Sequence, residues 1–244
     1  MSRYIALTCS ALARALYGLA ATGPHIVTVQ LFDQGLHNTP RNLRDLLQDG
    51  IDAIQPDEAD AILLAYGICG TSTLGLKARH TPLVIPRAHD CITLYLGSRQ
   101  RYDEEFNAQP GTYWYSADYL ERSKSNAGLG ASMPGMIDTV YDEYVERYGK
   151  DNADYLMEVM GEWGKHYTRA VFIDTGQSDT QNFEDEARDQ AERRGWTFER
   201  KEGNRRLLEM LVKGQWNEDE FLVVPPGHTV QQSGPDQLIV AVPS

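Results

Sequence analysis

Short apolar runs alternate with helix-like stretches through the first hundred residues, and this alternation constrains the fold more than any other feature. Tyr4–Thr8 (YIALT), His25–Phe32 (HIVTVQLF), Ala61–Tyr66 (AILLAY) and Pro82–Pro86 (PLVIP) each have the length and the apolar or β-branched character of buried strands. Between them lie helical patterns. Ser10–Tyr17 is rich in strong helix formers. The stretch from Thr39 to Leu47 starts a helix, with Thr39 as its N-cap and Pro40 at the first helical position. Strands joined by helical crossovers predict an α/β chain with a doubly wound parallel sheet.

The rest of the chain extends this into two Rossmann-like portions with a helical insert. Residues 1–110 form the expected amino-terminal α/β portion, residues 111–168 an aromatic and helical insert, and residues 169–244 a carboxyl-terminal α/β portion packing on the first. In the insert, Ile137–Trp163 reads as helix, with Tyr141, Tyr144 and Tyr148 at helical spacing. In the last portion Ala170–Asp174, Trp196–Glu199, Phe221–Val224 and Leu238–Val242 read as strands. Asn182–Arg194 and Arg205–Val212 read as helices.

Composition excludes some functions. The formal net charge is −12, from 35 acidic and 23 basic side chains. Such a surface repels phosphate backbones, and no basic run with interleaved aromatics offsets it, so nucleic acid is not an expected partner. No apolar run approaches the roughly 18–20 residues of a membrane span, and the start of the chain reads as a strand rather than a signal peptide. A cytoplasmic protein is expected. Walker A, G-x-G-x-x-G and G-x-S-x-G patterns are missing, which removes the usual support for nucleotide-driven and serine-hydrolase chemistry.

The three cysteines share one address. Cys9 follows YIALT, Cys69 follows AILLAYGI, and Cys91 follows PLVIPRAHD. Parallel sheets place ligand sites outside the carboxyl ends of their strands. With strand order 2-1-3-4, the first, third and fourth strands are neighbours about 4.8 Å apart. Three thiols at those ends would converge on one zinc ion, with Zn–S bonds of about 2.3 Å, or on a [4Fe–4S] iron–sulfur cluster with one exposed iron. Gly67 and Gly70 flank Cys69, and Cys9 and Cys91 lie at expected helix starts, which favour thiolate. Inert packing of buried cysteines and a metal-free catalytic thiol are the competing readings.

Other side chains would stand near the same edge. His37, after the second strand, would orient substrate or act as a general acid or base. Arg87 would grip a carboxylate or pair with Asp90. His89, two residues from Cys91, would support the site from behind the ligands or complete a zinc site. Thr71–Thr73 would cap a helix or cradle an anion. In the last portion, Asp174-Thr-Gly and Pro225-Pro-Gly-His228 end strands where a second lobe would close over a substrate.

Taken together, YGICG at Tyr66–Gly70, PRAHDCITLYLGS at Pro86–Ser98, EGNRRLLEMLVKGQWNEDEFLVVPPG at Glu202–Gly227 and LHNTP at Leu36–Pro40 resemble the domain of unknown function 1638 family. The resemblance runs over nearly the whole chain. It implies an association with corrinoid-dependent methyltransferase systems for methylated amines and related one-carbon donors. It also makes Cys9, Cys69, Cys91 and His89 the natural site residues. Two functions are therefore expected. One is a metal- or cluster-dependent enzyme, a transferase or lyase, acting on a small polar substrate. The other is an accessory protein that binds a metal, cluster or corrinoid for a corrinoid protein or methyltransferase partner.

Overall fold

The computed structural model describes residues 1–69, 71–122, 167–176, 179–234 and 237–244. The expected helix Ile137–Trp163, its tyrosine stripe and Gly70 lie outside the described residues. The fold is mixed α/β with parallel sheets. It divides into two compact units, residues 1–102 with 204–244, and residues 103–203. The three-part division expected from the sequence is not the one seen, because residues 204–244 belong to the first unit.

In the first unit, β1 (Arg3–Cys9), β2 (Ile26–Phe32), β3 (Ala61–Ala65), β4 (Leu83–Pro86) and β8 (Phe221–Val224) form one sheet in the order β2-β1-β3-β4-β8. The first four are parallel, in the expected order, and β8 closes the edge antiparallel to β4. Burial follows position. Central β3 and β4 are buried at every residue, whereas edge strand β2 alternates between exposed and half-buried residues.

Side chains alternate between the two sheet faces. Ile5, Leu7, Ile62, Leu64, Leu83 and Ile85 pack on Leu43, Leu47 and Ile51 of α2 (Pro40–Ala53). The other face is covered by α1 (Ala13–Thr22) and α7 (Arg206–Val212), which also pack on each other. Helices on both faces make the sheet doubly wound. Thr39 occupies the position before α2, but its hydroxyl turns back to the Leu36 carbonyl instead of capping the helix. A short hairpin of β9 (His228–Gln232) and β10 (Ile239–Pro243) completes the unit. It was not expected as a hairpin, and the Pro-Pro-Gly-His segment is its lead-in turn.

After β4 the chain forms α3 (Cys91–Leu96), capped at its start by the Asp90 carboxylate and ended by Gly97 with φ +72°. A Cβ on Gly97 would come within 2.5 Å of the Asn204 carbonyl oxygen, so glycine is needed both for the left-handed turn and for this approach. Helix α4 (Arg99–Ala108) follows.

The second unit is a parallel sheet in the order β5-β6-β7, from Thr112–Ser116, Arg169–Asp174 and Thr197–Glu202. Beside it lie α5 (Ala117–Arg122) and α6 (Gln181–Arg194), whose Ala187 and Ala191, one turn apart, pack with Tyr113, Tyr115 and Phe172. Among the described residues, no helix is long and apolar enough to cross a membrane.

Candidate functional site at the carboxyl edge of the first sheet

The strand register brings the cysteine-bearing segments side by side. Cys9 ends β1, whose Thr8 pairs with Ala65 of β3, the residue just before Tyr66. Beyond the strands, the loop after β3 and the loop after β4 are laced together. The Ile68 amide donates to the Ala88 carbonyl at 2.9 Å and the Cys69 amide to the His89 carbonyl at 3.0 Å. Gly67 permits this approach, since a Cβ there would lie 2.6 Å from Asp90 Cα and backbone N. Cys69 and Thr71 both hold positive φ, 45° and 78°. Such backbone is costly for non-glycine residues, above all for β-branched threonine, and it concentrates at functional sites.

All three cysteines are free and half-buried. The Cys69 sulfur accepts hydrogen bonds from the backbone N–H groups of Gly67 and Cys91, and the Cys9 sulfur from that of Ala11. Burial pushes the Cys9 thiol up to about 11, against the pull of the Ala11 N–H and with a smaller push from the Asp33 carboxylate. Burial also pushes Cys69 up, followed by repulsion from Asp90 and from Cys9. Cys91 is raised by burial, then by Asp90, Cys69 and Cys9. Each thiol thus lies within electrostatic reach of the other two.

These shifts correct the expected thiolates. Cys9 precedes a 3-10 turn (Ser10–Leu12) rather than the α-helix itself, and α3 is only six residues long. Desolvation outweighs both helix starts, and without a bound cation the thiols stay protonated near neutral pH.

Tyr66 joins them. Its ring is 3% exposed, and its hydroxyl is buried with no hydrogen-bond partner among the described residues. Burial raises its pKa first, then the charges of Cys9, Cys69 and Asp33. A buried phenol without a partner is unusual and calls for a bound group or water. Sequence reading missed Tyr66 as a site residue because it completes the apolar run of β3. Its position just past a strand end, beside Gly67, was the available signal.

His37 sits on a 3-10 turn (Gln34–Asn38) opened by Asp33, whose carboxylate accepts from the Gly35 amide at 2.7 Å. The Gln34 amide donates to Ser10 Oγ at 3.0 Å, which ties this turn to the residue after Cys9. His37 Nε2 is buried and has no partner among the described residues. Burial lowers its pKa, opposed by the Gln34 carbonyl and the Asp33 charge. Asp33 is the common neighbour here, since its charge reaches Cys9, Tyr66 and His37 alike.

The remaining expected residues go elsewhere. The His89 carbonyl binds the Cys69 amide, but its ring stacks on Tyr102 at 5.3 Å, and Tyr102 donates to Asp90 Oδ2 at 3.3 Å. Asp90 Oδ1 caps α3 through the Ile92 and Thr93 amides, and burial raises its pKa. Arg87 spends its guanidinium on backbone carbonyls of Glu218, Gln237 and Ile239 rather than on Asp90. No helix follows Thr71–Thr73; Ser72 Oγ donates to the Ile68 carbonyl and the Thr71 carbonyl accepts from Arg44. In the second unit, Asp174 pairs with Arg200 beside Thr175 and Gly176 at a cavity of about 470 Å³.

Among the described residues, no three His, Cys, Asp or Glu side chains stand in an arrangement that would hold a single metal ion. Cys9, Cys69 and Cys91 share a neighbourhood without forming a finished tetrahedral set. One zinc would require the three sulfurs within about 4 Å of one another. A cluster, which gives each thiolate its own iron, tolerates wider spacing.

No curated protein and no solved structure matches the chain. A family model does, over residues 31–212, a span that includes Tyr66, Cys69 and Cys91 but begins after Cys9. That match covers about three quarters of the sequence, and the chain belongs to the family described as Protein of unknown function (DUF1638).

Proposed function

We propose that Cys9, Cys69 and Cys91 bind an iron–sulfur cluster or a zinc ion, and that the site acts on a small polar substrate. The observation behind this reading is that each thiol lies within electrostatic reach of the other two, at strand ends where Tyr66 keeps a buried hydroxyl with no hydrogen-bond partner among the described residues. Three thiolates leave one coordination position open for substrate, where the metal would serve as a Lewis acid. The cluster is the preferred occupant, because it asks less of the sulfur spacing than one zinc ion does. Tyr66 and His37, both with buried polar atoms left over, are the groups to donate to or accept from that substrate. His89 holds the Cys69 loop through its carbonyl, and Arg87 acts at a distance by fixing the chain before Cys91.

Free thiols of this kind belong in a reducing compartment, and the proposal places the protein in the cytoplasm. It also takes up the partner class implied by the family resemblance, a corrinoid protein or methyltransferase of one-carbon metabolism. In the enzymatic reading the protein supplies or consumes that partner's small substrate.

The test is anaerobic purification followed by iron, zinc and acid-labile sulfide analysis with an absorption spectrum. Stoichiometric iron and sulfide, lost in Cys69→Ala, would establish the cluster. A protein free of both metals, with three thiols titrating independently after reconstitution attempts, would end the proposal.

A further inference from the structure

The first unit holds a cavity of about 410 Å³ lined by Arg87, Arg99, Trp216, Glu218, Asp219 and Gln237, among others. That volume falls within the range of small-molecule sites. Two arginines are among its lining residues. Arg87 lies in the chain just after β4, and Arg99 is the first residue of α4. Burial lowers the Arg87 pKa, and the nearby charge of Arg99 lowers it further. The carboxylates of Glu218 and Asp219 oppose both effects at Arg87, and Glu220 lies within electrostatic reach of Arg99.

The hydrogen bonding is incomplete in the same place. Arg87 Nε donates to the Glu218 carbonyl at 2.8 Å, and its Nη1 to the carbonyls of Gln237, at 2.6 Å, and Ile239. These bonds fix the Arg87 fork. Arg99 Nη1 is buried and has no partner among the described residues. A charged donor withdrawn from water and left unmatched signals a missing acceptor. The walls are rigid, since the Trp216 indole N–H is held by the Leu211 carbonyl at 2.8 Å and its ring packs on Tyr4. Glu218 and Asp219, which also line the cavity, are exposed.

We infer that this cavity binds a small metabolite through an oxyanion, carboxylate or phosphate, seated at Arg99 and Arg87, with any hydroxyl or ammonium group of the ligand turned to Glu218 and Asp219. The guanidinium fork suits either oxyanion in two-point contact. Glu218 and Asp219 weaken bare anions without excluding them and favour ligands that also bring donors. None of the three thiols takes part, so the site stands or falls independently of the proposed cluster.

Calorimetric titration of the full chain with inorganic phosphate and with acetate, against sodium chloride at equal ionic strength, tests it. Saturable one-to-one binding of phosphate identifies a phosphoryl ligand, and of acetate a carboxylate ligand. In either case Arg99→Gln weakens binding roughly tenfold or more. Glu218→Gln, at an exposed position, tightens it severalfold by removing a competing charge. No saturable binding of either probe overturns the inference, as does unchanged affinity in a folded Arg99→Gln protein. Should Arg99→Gln fail to fold, the Glu218→Gln titration decides, and an affinity equal to the parent's overturns it.

Discussion

Gly67 lies directly against Asp90, so that a Cβ on the glycine would stand 2.6 Å from both the Asp90 Cα and its backbone nitrogen. Backbone cannot yield as a flexible side-chain tip can. Gly67→Ala is therefore expected to cost about 1–3 kcal/mol, the usual range for overpacking. It should also part the loop of Cys69 from the start of α3, which Cys91 occupies. Denaturant melts give the first quantity, and iron or zinc content after anaerobic purification gives the second. Wild-type stability together with wild-type metal content would mean that the two loops are not locked in this way.

Tyr66→Phe removes a buried hydroxyl that has no described partner. Deleting an unsatisfied polar group relieves a desolvation penalty instead of breaking a bond. The metal-free variant should match the parent or exceed it by about 1–2 kcal/mol, while binding at the thiol site is impaired. A loss of stability in the metal-free variant, read from its denaturation midpoint, would show that the hydroxyl is already satisfied.

Much of this edge was legible in the sequence, for a physical reason. YIALT, AILLAY and PLVIP are largely apolar because their strands are buried on both faces, and the order β2-β1-β3-β4 is the common one for such a sheet, as expected. What escaped depends on contacts far apart in the chain. The acceptors of Arg87 lie 131 to 152 residues further on, so no local pattern separates a substrate-gripping arginine from one that ties carbonyls together. FLVV reads as a strand, but nothing in four apolar residues says that it joins the first sheet antiparallel to β4. β5 (TYWYS) is buried at every residue, yet it sits among glycines and acids and its aromatics suited the expected insert. The helix-start argument for thiolates failed because the thiols are desolvated, which depends on the packed fold rather than on capping position.

His37 should carry a pH signature. Burial lowers its pKa below 6.5, so the folded protein binds fewer protons at this residue than the unfolded chain does at the same pH. Stability from this source is complete above the unfolded value and is lost as pH falls through the folded one. His37→Gln should therefore flatten the decline in denaturation midpoint between about pH 7 and pH 5. Proton NMR should show the His37 ring titrating below the ordinary histidine value. A His37 ring that titrates at or above that value would refute its buried placement.

In the second unit, Arg169 has a side chain only 8% exposed, bonded to Glu199 at 2.8 Å and Glu105 at 3.3 Å. Lys201 pairs with the same two carboxylates. Glu105 is thus shared by two cations, and its pKa is lowered because Lys201 and Arg169 outweigh the opposing effect of burial. Glu105→Gln leaves Arg169 with less compensation in a poorly hydrated place, at an expected cost of about 1–3 kcal/mol. Hydrogen exchange should localise the loss to β6 and β7. A stability change within about 0.5 kcal/mol, as for an ordinary surface substitution, would mean that solvent already screens the pair.

Arg87→Lys separates a structural role from a substrate-binding one. Lysine keeps the charge, but its single ammonium cannot span three carbonyls contributed by Glu218, Gln237 and Ile239. Those carbonyls belong to the turn before β8 and to the start of β10, so their loss loosens the carboxyl-terminal segment from the chain that leads into Cys91. The expected cost is about 2–4 kcal/mol, since bonds to a charged donor contribute more than neutral ones and their acceptors are left partly buried. The iron or zinc content of the fraction that still folds should stay at the parental level, because the guanidinium touches none of the thiols in this arrangement. Parental stability combined with lost metal would reverse the assignment and move Arg87 into the cysteine site.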